Sequence, residues 1–322
     1  MSDFPDLPHG PQGLGSGFFD ECYNALVQQI RAETPLIAVH DGNQYRPDHE
    51  LWQQWVDLAT GDLTYWQDYA LDGDVSMIPG QPDGPWWMLI GKGNDLYSSA
   101  YTDLDNAYHQ MPSQWQGEAH NHAAGYLDAT RKLVGGYCPS PGDLTTGLIN
   151  EAARVLEGAY ATVVAFKIDL YNLAKRASES LDELDKGGSG ETVGVGLIIA
   201  GLALSGVGGA AQASDSITAA FGGGVVAALG GLVLNKGISD VKDAQPVGGR
   251  DPQEIMQTLA KATNTAQQHY STAAGRVGAS LSEIWHQIDN QMHHTMMRPV
   301  AAPTPNISPE TSLNMSHFFP AG

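Results

Sequence analysis

Eleven histidines, two cysteines and 36 acidic residues supply the side chains that could do chemistry in this chain of 322 residues. His120 and His122, near His109 and Glu118, are a possible metal-ligand group. Positions two apart on a helix face opposite sides, so His120 and His122 do not chelate together. His286 and His293 share a helix face, with His294 beside them, and read as polar positions on a helical seam. Two cysteines, Cys22 and Cys138, exclude a disulfide scaffold and a multi-cysteine zinc fold. They read as buried thiols, open to pairing if the protein leaves the cell. Asp103 and Asp105 face apart on a helix and make no carboxylate pair. The chain has no Gly-x-Ser-x-Gly, His-Glu-x-x-His or Walker loop. The glycines of 13–17 follow no strand, so they belong to a flexible leader over 1–17 and not to a phosphate loop. Trp52, Trp55, Trp66, Trp86 and Trp87 could stack sugars, but read as the core of a small N-terminal subdomain. These residues predict no catalytic set, no cofactor and no metal centre.

The elements that would position them are helices. Residues 18–33 place Phe18, Phe19, Cys22, Tyr23, Leu26, Val27 and Ile30 on one face, before Pro35. Residues 48–71 form a second apolar and aromatic stretch, and 72–85 a loop marked by Asp-Gly and Pro-Gly. A helical hairpin follows over 86–134, broken at Pro112-Ser113. Asp143 is the expected cap of a long helix to Lys186. Such a helix, about 66 Å long at 1.5 Å per residue, belongs to an elongated bundle. Asp251 caps a further helix with Pro252 at its first position, and apolar residues from Ile255 to Met292 form a coiled-coil-like seam. The chain from 299 on is rich in Pro, Ser and Asn and reads as a disordered tail.

Residues 192–214 and 216–235 carry no charge, and Asp215 alone divides them. Each run is long enough to cross a bilayer, and the two predict a hairpin. Small residues recur every four positions, at Gly201, Ser205 and Gly209 and again at Gly223, Ala227 and Gly231. That spacing lets helices approach backbone to backbone. Eleven glycines in this stretch weaken it as a free helix in water. A buried hairpin or a disordered glycine-rich loop are the other readings.

Charge bounds the partners. The chain holds 16 basic residues against 36 acidic, net −20. Residues 1–117 hold 17 acidic and 3 basic residues, so the acidity concentrates in the first third. Such a chain repels phosphate backbones, which argues against nucleic acid and against purely electrostatic docking on anionic lipid. The N-terminus has neither the basic nor the apolar region of a cleavable signal peptide.

Trp115-Gln116-Gly117, at the turn of the 86–134 hairpin, resembles the Trp-x-Gly turn of the WXG superfamily exported by type VII (ESX) secretion systems. The order of features over 86–322 resembles the EspA-like secreted proteins of actinobacteria: hairpin, long helix, apolar hairpin, helix and tail. Residues 18–85 have no counterpart in that pattern. The resemblance implies that Trp115 packs into the helix–helix junction and Gly117 permits the turn. In the family a Tyr-x-x-x-Asp/Glu export signal follows the turn; here Tyr101 to Asp105 precedes it. Either a partner chain supplies the signal or export does not use it, so Trp115 and Gly117 alone carry over, as structural turn residues.

The expected fold is all-α, an elongated bundle. It runs from a leader (1–17) through an acidic aromatic region (18–85) to the WXG-like hairpin and long helix (86–190). An apolar glycine-rich membrane hairpin (191–238), a long helix (251–298) and a tail (299–322) follow. The expected function is that of a non-enzymatic ESX-type protein, secreted or bound to the cell envelope. It would associate with a helical protein partner or with itself, and contact membrane through 192–235. The alternative is a pore-forming toxin that inserts the same hairpin.

Overall fold

The computed structural model describes residues 4–33, 48–66, 85–111, 115–137, 148–187, 192–200 and 244–291. Helix dominates them, as an all-α chain requires. The helices are α1 (Ser16–Glu33), α2 (His49–Thr64), α3 (Pro85–Asp95), α4 (Thr102–His109), α5 (Glu118–Tyr137), α6 (Leu148–Asp185) and α7 (Pro252–Gln291). A wider π-helical stretch, Leu96–Tyr101, joins α3 to α4.

The local chemistry explains the starts. Asp48 caps α2 by accepting the Leu51 N–H at 3.0 Å. At α7, Asp251 accepts the Glu254 N–H at 2.8 Å, and the Glu254 carboxylate accepts the Arg250 N–H at 2.7 Å. This reciprocal cap satisfies two donors that the helix start leaves unpaired. The close approach has a second requirement at Gly249. A Cβ there would lie 2.7 Å from the Glu254 side chain and 2.9 Å from the Ile255 nitrogen.

The central element is α6. Every residue from Gly158 to Tyr171 is buried, because neighbours cover the helix all round. Its largest interface is with α7, and α1, α2 and α3 pack on its other sides. The α6–α7 pair is antiparallel: Phe166 stacks on Tyr270 at 4.8 Å, while Ala152, Val155 and Ala159 cluster with Val277 and Ile284. Buried alanines on both helices (Ala159, Ala165, Ala262, Ala266 and Ala273) hold this seam close. The expected stretch to 298 is helical as far as Gln291; 292–298 and the tail 299–322 lie outside the described residues.

Three features differ from expectation. Residues 4–17 of the expected leader are packed. Leu14 is fully buried, Phe4 lies against the Tyr171 ring at 5.8 Å, and the Tyr171 hydroxyl donates to the Pro5 carbonyl. An extended segment with apolar residues spaced irregularly covers a core as well as a helix does, but shows no period. The aromatic N-terminal region is likewise no separate subdomain: Trp52 and Trp55 share one core with α6 and α7. Finally, the apolar stretch begins in a strand. Val193–Val195 (β1) pairs antiparallel with Gln245–Val247 (β2), Val193 opposite Val247 and Val195 opposite Gln245. β-branched valines flanking glycine suit a short ribbon.

Candidate functional site

Gly117 stands at φ +102°, a backbone conformation that L side chains rarely adopt, with open space around it. Dihedral angle, not crowding, demands glycine there. The Gly117 carbonyl then accepts the Asn121 N–H at 3.1 Å and starts α5. Trp115 does not enter a helix junction. Its side chain is 41% exposed and meets the His120 ring edge-on at 5.7 Å. A larger anchor joins α5 to α4. The Arg131 guanidinium donates to Asp105 at 2.6 Å and to Asp128 at 2.9 Å, and lies 4.8 Å over the Tyr108 ring. The cations Lys132 and Arg131 hold the Asp128 carboxyl below its ordinary range. Asp105 is thus spent on an internal ion pair, and the Tyr101 ring crowds Gly135, where a Cβ would come within 3.1 Å.

His120 and His122 have different neighbours. His120 turns to Trp115, and His122 meets Glu118 at 3.6 Å, an exposed contact four residues apart. Among the described residues, no group of three or more His, Cys, Asp or Glu could hold a metal ion. Cys22 is buried, and burial followed by the charge of Glu21 pushes its thiol up to about 12. Such a thiol is a packing group, not a nucleophile. Cys138, His293 and His294 lie outside the described residues, as do the small residues Gly201, Ser205, Gly209, Gly223, Ala227 and Gly231.

The start of the apolar stretch is fixed to the helical core. β1 lies at its start and β2 beyond its charge-free end at 235, and Val247 is fully buried against the helical core. Just beyond β1, the fully buried Asp169 of α6 accepts the Ile198 and Ile199 N–H groups, both at 2.9 Å. It caps the short helical turn that begins at 198. Burial nevertheless outweighs those two bonds and pushes the carboxyl up to about 7. On another side of α6, the buried Lys167 ammonium donates to the Leu14 carbonyl at 2.8 Å and to the Thr60 hydroxyl. It also lies 4.7 Å over the Phe19 ring. Burial pulls this ammonium down to about 7.

Periodicity passed over Lys167 and Asp169, because a charge on an amphipathic helix is normally turned outward. One signal marks them. Residues 159–173 are apolar on all sides except at a few positions, so the helix has no polar face to turn outward. Among the described residues, no helix is long and apolar enough to cross a membrane. Compared with family models, curated proteins and solved structures, the chain matches none, and its fold and site rest on its own residues.

Proposed function

We propose that this chain is a non-enzymatic helical protein of the type VII (ESX) secretion class. In this reading it is secreted or bound to the cell envelope, associates with a helical partner or with its own copies, and presents 192–235 to a membrane. The observation that carries the reading is the ribbon. Because β1 and β2 pair antiparallel, the two ends of the segment that holds the apolar stretch stand side by side against the helical core. Asp169 and Val247 tie that point to the core. What supports membrane contact is that the ends of this stretch are fixed together while its two charge-free runs are each long enough for hydrocarbon.

Liposome flotation of the full chain tests it, beside a variant in which a short polar linker replaces 201–243 and spares both strands. Flotation by the full chain alone supports membrane contact. Failure of the full chain to float across lipid compositions and pH removes that part of the reading. Dye leakage on binding would instead favour the pore-forming alternative.

A further inference from the structure

A cleft of about 230 Å³ opens between the end of α2 and the α6–α7 pair, away from the ribbon. Asp62, Tyr65, Trp66 and Tyr270 line it, with the buried Ala159 and Val163 beneath. The Tyr65 and Trp66 rings meet nearly at right angles, 81° at 5.2 Å between centroids, so they make two walls of a corner. Tyr270 is 3% exposed and stacks on Phe166. Its hydroxyl donates to the Asp62 carboxylate and fixes that group at the cleft.

A carboxylate offers about four acceptor sites, and this hydroxyl occupies one. Among the described residues, no Lys, Arg or His stands within salt-bridge distance of Asp62. Burial and the neighbouring Asp62 charge raise the Tyr270 hydroxyl above its ordinary range.

These features select a ligand class. An anion is repelled by Asp62. A sugar needs several hydrogen-bonding partners, and the Thr162 and Tyr270 hydroxyls already donate to the Gly158 carbonyl and to Asp62. A metal ion needs more oxygen ligands than one carboxylate. A cation with apolar substituents satisfies the aromatic walls, the apolar floor and the carboxylate together. The net charge of −20 also raises the local concentration of any cation. We propose that this cleft binds an organic ammonium group, held against Tyr65 and Trp66 with Asp62 as counter-ion and Tyr270 positioning that carboxylate.

The test is calorimetric titration of the full chain with choline and with its neutral carbon isostere, 3,3-dimethylbutan-1-ol. The expected result is saturable choline binding, with the isostere weaker by about tenfold or more. Asp62→Asn should weaken choline by a similar factor while still accepting the Tyr270 hydrogen bond. Tyr65→Ala, at an exposed ring, should weaken choline with the helical circular dichroism unchanged. Displacement of choline by phosphatidylcholine vesicles would assign the group to a lipid headgroup, and absence of displacement to a free amine. Equal binding of choline and isostere, wild-type affinity in both variants, or no saturable binding would overturn the proposal.

Discussion

Lys167 and Asp169 are two residues apart on α6, and each is buried on a different side of the helix. Their titrations act on stability in opposite directions. Asp169 binds its proton more tightly in the native state, about 7 against an ordinary 3.8. Its contribution is full below pH 3.8 and is lost as the pH rises to about 7. Lys167 binds its proton less tightly, about 7 against 10.5. Its contribution is full above pH 10.5 and is lost as the pH falls to about 7. Together they set a stability minimum near neutral pH. Lys167→Met should abolish the gain between about pH 7 and 10. Urea midpoints for wild type and variant at both ends of that range give the answer, and a constant difference between them would contradict it. At Cys22, a thiol held at about 12 should resist iodoacetamide in the native protein at pH 8 and react in urea. Mass mapping of that cysteine reads the result.

At the scale of elements, the ribbon and the α6–α7 seam make separate demands. Asp169→Ala leaves the Ile198 and Ile199 N–H groups without their acceptor in the core. The expected loss is about 1–3 kcal/mol, with faster hydrogen exchange at Ile198, Ile199 and β1 than elsewhere. Uniform exchange changes across the chain would show instead that Asp169 supports the whole core. In the seam, Ala266 is fully buried between the long helices. Ala266→Leu should overpack it and cost about 1–3 kcal/mol, measurable as a lower denaturation midpoint. The seam was legible in advance, since residues from Ile255 onward recur at spacings of three and four. The ribbon was not, because three-residue strands are too short for alternation to register and their partners lie about fifty residues apart.

The main core closes around α6, and the N-terminal segment is part of that closure. Leu14 fills the core and gives its carbonyl to Lys167, so trimming residues 1–15 exposes both. Leu14→Ala alone should cost about 2–5 kcal/mol. One core cluster gathers buried residues of α1, α2, α6 and α7, from Leu14 to Ala273. Tryptophan fluorescence and helical circular dichroism should therefore report coincident unfolding. Trp115 behaves differently. Its exposed ring predicts a stability change of less than about 0.5 kcal/mol for Trp115→Ala. Urea midpoints of the two proteins check it.

Helical class, the positions of the long helices and the Asp251–Pro252 start were readable from the chain alone. Each depends on neighbours within a few turns, and apolar period and capping chemistry act over that range. The turn role of Gly117 was implied by the resemblance, and its dihedral is a local demand. The packed N-terminal segment, the exposed Trp115 and the buried Lys167 and Asp169 are of another kind. So are the ribbon and the cleft that joins Asp62 to Tyr270. Tertiary structure alone decided them, because burial and pairing across long stretches of chain depend on which faces meet, and no local pattern encodes that meeting.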